Sequence, residues 1–189
     1  FIPLCKEWGV HSLAMEGFEA DDIIGTLAQH ASEDVQVTIV SNDKDFAQLV
    51  NPNVKLLRFG RGGEDLLGPA EVEAKWGVPP DQIIELLALM GDTSDNIPGV
   101  PGVGPKKAAQ FVNKYGSAAD VVANASDIGG KTGERVAAAE AMLTESLSSA
   151  GLSFRRGDFQ LPMQADEPVV LFRAMNLLRQ YDEAAAVAA

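Results

Sequence analysis

Gly91-Asp-Thr-Ser-Asp-Asn-Ile-Pro-Gly-Val-Pro-Gly-Val-Gly-Pro-Lys-Lys107 decides how the rest of the chain is read. Its first part holds two carboxylates, Asp92 and Asp95, three residues apart, so any helical turn sets both on one face. Its second part is punctuated by Gly99, Gly102 and Gly104, which permit positive φ and close backbone approach. The run Gly102, Val103, Gly104, Pro105, Lys106, Lys107 then leads into a helix expected to start at Pro105 or Lys106. Backbone N–H groups at a helix start, with two ammonium groups beside them, form a cradle for phosphate. A helix–hairpin–helix unit of this kind grips one strand of a nucleic-acid backbone without reading bases. An ordinary turn between helices is the plainer explanation, but it requires neither the glycine spacing nor the paired lysines.

Two further acid clusters lie upstream, Glu19-Ala20-Asp21-Asp22 and Asp43-Lys44-Asp45, making seven carboxylates with Asp92 and Asp95. Each cluster alone has a structural explanation. Asp21 and Asp22 suit the first turn of a helix, Asp43-Lys44-Asp45 suits a turn with a local salt bridge, and Asp92 or Asp95 suits an N-cap. Together they repel one another unless a cation sits among them, and a divalent metal is the usual one. Hard carboxylate oxygens without companion His or Cys select Mg²⁺ or Mn²⁺ over Zn²⁺. His11 and His30 stand far apart, and Cys5 has no companion at ligand spacing. Asp43 and Asp45 directly follow a strand expected to end at Val40, where ligands sit in open parallel sheets. Metal beside phosphate implies phosphodiester chemistry.

Two near-misses are set aside. Pro105 interrupts any Walker A reading of Gly99 to Lys106, and Gly130-Lys131-Thr132 has Ala125 where the first glycine belongs. No Ser-His-Asp arrangement is visible.

Around these motifs the first half alternates as in α/β folds. Helices are expected over Ile2 to Trp8 and Ala20 to Ser32, strands over His11 to Ala14, Val35 to Val40 and Val54 to Phe59, and a helical turn over Phe46 to Leu49. Gly60 to Gly63 reads as a turn. The second half is helical, over Pro69 to Trp76, Asp81 to Met90, Lys106 to Tyr115, Ser117 to Ala125 and Gly133 to Ser149, with Gly116 as a C-cap. A strand at Leu152 to Phe154 and a helix at Val169 to Gln180 complete the reading. The break falls near residue 68.

The 189 residues fit one medium domain or a core with a small subdomain. A net charge of −12 argues against a nucleic-acid partner in general, yet the charge is sorted: Gly99 to Ala119 carries three lysines and no acid. One cysteine excludes an intrachain disulfide and suits a reducing compartment, so the cytoplasm is expected. No apolar run approaches membrane-spanning length, and no membrane partner is expected. The chain opens with Phe in what reads as mid-helix, so it is expected to be a fragment lacking an N-terminal portion.

Gly17-Phe-Glu-Ala-Asp-Asp22, Ser41-Asn-Asp-Lys-Asp45, and Gly91 to Gly99 running into Val103-Gly-Pro-Lys-Lys107 together resemble the 5′ nuclease superfamily. The resemblance is to the bacterial 5′→3′ exonuclease domain found at the front of DNA polymerase I and in free-standing relatives, and it covers essentially the whole chain. It implies an α/β fold: a PIN-like parallel-sheet core, of which residues 1–68 are the C-terminal part, and a helical helix–hairpin–helix subdomain over 69–189. It implies two divalent ions, Mg²⁺ or Mn²⁺, with Glu19 and Asp21 serving one and Asp22 as ligand or support. Asp43, Asp45, Asp92 and Asp95 would serve the other. It also implies a K⁺ on main-chain carbonyls of Pro98, Val100 and Val103, with Leu89 and Met90 as further candidates, and DNA contact from Gly102 to Lys107.

The implied reaction is hydrolysis of DNA bearing a 5′ end, flap or junction, by two ions ~4 Å apart. A monomer in the bacterial cytoplasm, associated with the nucleoid and fused to or cooperating with a polymerase, completes the expectation. The family's N-terminal strand with a further metal-binding Asp, and the basic helical arch with another, have no counterpart here. Weak activity, or none, is therefore expected of this chain alone. The competing readings are a DNA-structure-binding module that does not hydrolyse, and a PIN-type ribonuclease, which is expected to lack the helix–hairpin–helix.

Overall fold

The computed structural model describes residues 2–31, 34–60, 62–93, 97–140 and 171–172. Helix α1 (Ile2–Glu7) is followed by an irregular stretch and then α2 (Ala20–His30), which buries Ile24, Gly25 and Ala28. Strand β1 (Val37–Val40) leads into a 3₁₀ turn (Asp45–Leu49) and then β2 (Val54–Gly60), which pairs with β1 in parallel, Ile39 opposite Leu56. Parallel neighbours need a crossover of about a dozen residues, and the 3₁₀ turn packed under α2 supplies its middle. Phe46 and Ala47 on that turn are 1% and 0% exposed, so the turn serves as a plug of core as well as a connector.

Strand β3 (Gly63–Leu67) folds back on β2 in an antiparallel hairpin, with Gly60 paired to Gly63. Gly63 holds φ at +106°, a conformation side-chain-bearing residues seldom adopt. The Gly60 to Gly63 turn expected from sequence therefore closes a hairpin, and the core sheet is mixed rather than wholly parallel. β3 is an edge strand of that sheet, and its exposed Glu64 and Asp65 suit such a position.

Helix α3 (Pro69–Trp76) starts with proline, its Gly68 N–H donating to Glu71 Oε2 at 3.0 Å, and stops at left-handed Gly77. A 3₁₀ turn (Pro80–Gln82) runs into α4 (Ile83–Met90), where Ile83, Leu86, Leu87, Ala88 and Leu89 are buried. The hairpin follows, then α5 (Pro105–Tyr115), ended by Gly116 at φ +95°. Ser117 caps α6 (Ala118–Ala123), accepting from the Asp120 N–H at 3.0 Å. Short α7 (Ala125–Ile128) and α8 (Gly130–Ala138) close the helical part.

Two expectations fail within the described residues. His11 to Ala14 forms no strand; His11, Ser12 and Ala14 are exposed and pair with no neighbour in the sheet. Leu171–Phe172 form a strand, β4, parallel to β1 at Ile39 and Val40, where a helix was expected. The local run Val169-Val-Leu-Phe172 favours a pleated strand over a helix. The sheet order is β3-β2-β1-β4. The expected strand at Leu152 to Phe154 and the part of the Gly133 helix beyond residue 140 lie outside the described residues. One continuous apolar core joins Ile24, Ile39 and Leu56 of the sheet layer to Leu86, Val100, Val112 and Val136 of the helical layer.

Candidate metal and nucleic-acid backbone site

The loop after β1 is built by its own hydrogen bonds. The Asp43 N–H donates to buried Ser41 Oγ at 3.1 Å, and Asp43 Oδ1 accepts from the Asp45 N–H at 3.0 Å, starting the 3₁₀ turn. Arg58 and Phe59 of β2 hold the intervening Asn42, through its carbonyl at 2.9 Å and its side chain at 2.8 Å. The Asp43 carboxylate and the Asp45 backbone are thereby fixed at the C-terminal end of β1, at the position that parallel-sheet architecture assigns to a ligand.

Lys44, between them, makes an ion pair with Asp92 Oδ2, so the second and third acid clusters meet across the fold. Asp92 is 6% exposed, the one buried charged side chain among the described residues, and a buried charge requires a partner. Its backbone forms an antiparallel bridge with Ile97, at 2.8 and 2.7 Å. Asp95 lies outside the described residues.

The first cluster is arranged differently. Glu19 precedes α2 in extended conformation, and its N–H donates to Asp22 Oδ2 at 3.2 Å, half of a capping box. Asp21 and Asp22 lie in the first helical turn, so the capping role expected of this cluster is realised. Among the described residues, no three His, Cys, Asp or Glu side chains stand close enough to share a metal ion. The donors fit a hard divalent cation in kind. In arrangement, Lys44 rather than a common centre links the Asp43 loop to Asp92.

The hairpin is pinned at both ends. Gly91 has φ +76°, and a Cβ there would strike the backbone of Gly99; one on Gly99 would strike Met90 and Gly91. The two strands of the hairpin thus touch backbone to backbone, which only glycine permits. The Val100 N–H donates to the Leu89 carbonyl at 2.9 Å, and the Val103 N–H to the Val100 carbonyl at 2.9 Å. Each of those carbonyls keeps a second lone pair. Val100 and Val103 are buried, whereas Pro98 is exposed and Met90 half-buried.

At the tip, Gly102 (φ +79°) and Gly104 precede α5, and nothing lies within 4 Å of a Cβ on Gly104. Gly102, Gly104, Pro105, Lys106 and Lys107 are all exposed, leaving the helix start open to a ligand. Lys107 Nζ reaches the Gly102 carbonyl at 3.4 Å. Lys114, the third lysine of the acid-free segment, donates to the Tyr115 hydroxyl at 2.8 Å, which holds its pKa above the ordinary lysine value.

Two basic residues outside the expected set enter this geometry. Lys44 lies between Asp43 and Asp45, and that intervening position is its only sequence signal. Arg135 donates from Nη1 to the Pro101 carbonyl at 3.3 Å, and its string Gly130-Lys131-Thr132-Gly133-Glu134-Arg135 resembled a phosphate loop only superficially.

Residues 2–77 match the 5′-3′ exonuclease N-terminal resolvase-like domain, and residues 78–167 match the 5′-3′ exonuclease C-terminal SAM fold. The chain belongs to the 5′-3′ exonuclease family. It is 44% identical over 124 residues to DNA polymerase I of Rhizobium leguminosarum, an overlap covering 65% of this chain and 12% of that protein. It is 42% identical over 122 residues to a 5′-3′ exonuclease of Buchnera aphidicola subsp. Schizaphis graminum, covering 64% of this chain and 42% of the relative. A zinc-bound T5 5′-exonuclease structure superposes with TM-score 0.67 at 28% identity, over 79% of this chain and 55% of that one. The bacteriophage T5 flap endonuclease in a pseudo-enzyme–product complex with DNA and metal ions gives 0.68 at 27%, over 80% and 56%.

Proposed function

We propose that this chain is the part of a metal-dependent 5′→3′ exonuclease or flap endonuclease that carries carboxylates of the metal site and the hairpin gripping the DNA backbone. The observation that carries the reading is the position of Asp92. It is buried, tied through Lys44 to the Asp43–Asp45 loop, and it opens the segment that becomes the phosphate cradle. Hydrolytic acids and backbone grip are thus one contiguous piece of structure.

The divalent ions are proposed to be Mg²⁺ or Mn²⁺, held by Asp43, Asp45, Asp92 and Asp95 on one side and by Glu19, Asp21 and Asp22 on the other. A bound divalent ion supplies Lewis-acid activation of water and stabilises the leaving oxygen. The chain's own part is to aim these carboxylates and to fix the DNA. N–H groups of Gly102 to Lys107 and the ammonium groups of Lys106 and Lys107 hold a phosphate. A K⁺ on the carbonyls of Val100 and Leu89, with Pro98, Met90 and Val103 nearby in sequence, would add positive charge beside that phosphate. The proposed substrate is DNA with a 5′ end, flap or junction. Similarity to DNA polymerase I supports a polymerase fused or cooperating, and a bacterial cytoplasmic location follows from that assignment.

Two observations favour the second reading, a DNA-structure-binding module without hydrolysis: the first cluster caps α2, and Lys44 already pairs with Asp92. A 5′-labelled flap duplex incubated with Mg²⁺ and the protein separates the two. Asp92→Asn is expected to lower cleavage by about 100-fold while DNA binding in EDTA is retained. Unchanged cleavage in that variant would sink the catalytic reading; cleavage absent from a full-length protein containing this chain as well as from the chain alone, with binding intact, would favour the module.

A further inference from the structure

Helix α8 is packed tightly against α7, and Gly133 shows how. A Cβ on Gly133 would run into the carbonyl of Ala125, so α7 and α8 approach more closely than side chains allow. Val136, next to Arg135, is 0% exposed and locks the helix into the core. Arg135 is thus delivered from a rigid element to the hairpin tip. There its Nη1 meets the Pro101 carbonyl, and any side chain on Gly102 would collide with the same nitrogen at 2.6 Å. Lys107 reaches the next carbonyl, that of Gly102, from α5. Two cations from two helices therefore bracket consecutive carbonyls at the exposed tip of a loop.

We propose that Arg135 extends the backbone-binding site onto α8, contacting a phosphate of duplex DNA beside the one cradled at the start of α5. The inference rests on the DNA-binding reading above. Its physical basis is that one donor of a guanidinium suffices to hold it on Pro101, while the group presents five in a planar fork suited to phosphate. The hairpin carbonyl orders the side chain in advance, so less freedom is lost when DNA arrives. Glu134 beside it is the nearest acid in sequence, whereas Lys131, one helical turn back, adds to the positive face.

The test is equilibrium binding of a fluorescent duplex in EDTA across a salt series, for the wild type, Arg135→Gln, Arg135→Lys and Lys106→Gln, with melting curves to verify folding. Arg135→Gln is expected to weaken binding about tenfold at low salt and to lower the slope of log K against log salt by about one. Arg135→Lys is expected to keep the slope and lose less affinity. A purely structural Arg135 would shift melting without changing the slope. Wild-type affinity and slope in Arg135→Gln, with Lys106→Gln weakened, would overturn the inference and leave the DNA reading standing. Binding that is absent in the wild type, or unmoved in every variant, would overturn both.

Discussion

Asp92 combines burial, an ion pair and a backbone bridge in one residue, and the balance among them can be measured. Lys44→Met removes the cation that pairs with this buried carboxylate. Breaking fully buried pairs costs about 3–5 kcal/mol; Lys44 is 26% exposed, so about 1–3 kcal/mol is expected in metal-free melts. Added Mg²⁺ should then raise the melting temperature of Lys44→Met more than that of the wild type, because a cation that binds only the folded state stabilises it. Equal stabilisation of both would mean the ion does not reach Asp92. At the hairpin, Gly91→Ala or Gly99→Ala forces backbone against backbone and should cost several kcal/mol, on the order of 4, in urea unfolding. Gly104→Ala has φ −94° and open space, so its cost should stay within about 1 kcal/mol. A large loss of DNA affinity in Gly104→Ala alone would then report close approach of a phosphate, and unchanged affinity would move the cradle elsewhere.

At the scale of elements, one long-range cap holds the helical part together. Glu85 of α4 accepts the Ala118 N–H at 2.7 Å, satisfying an orphan donor at the start of α6. Glu85→Ala should lower stability by about 1–2 kcal/mol, and Glu85→Gln by less, read as the denaturant midpoint. No difference from wild type in either would mean that water replaces the carboxylate. Elements whose cause is local were legible in the sequence: α3 from Pro69, the end of α5 from Gly116, and β1 from a β-branched run. Those with distant causes were not. β3 is a polar edge strand whose pairing partner, not its composition, makes it a strand. β4 adds to β1, a partner distant in sequence, which turns a β-prone run into a strand. The site was legible in the same uneven way. Its motif residues announced themselves through spacing, while Lys44 and Arg135 acquire meaning only when residues far apart in sequence are brought together.

Across the whole molecule, charge is partitioned rather than averaged. An overall charge of −12 coexists with an acid-free segment around the hairpin, so nucleic acid should be drawn to one face and repelled elsewhere. Duplex binding should weaken steeply with salt, with each phosphate contact contributing a slope of about −0.9. Four contacting cations would give a slope near −4, and a slope near zero would argue against backbone binding. Calorimetric titration of Mg²⁺ should register binding that Asp43→Asn weakens by about 10–100-fold. An identical isotherm for the two proteins would remove Asp43 from the metal site.

The backbone clasp between Gly91 and Gly99, reinforced by the Asp92–Ile97 bridge, leaves no slack between the acid and the loop tip. In the proposed reading it acts as a ruler. The distance from the gripped phosphate to the carboxylates is set by polypeptide, so the scission point is counted from where the duplex is held, in nucleotides, whatever their sequence.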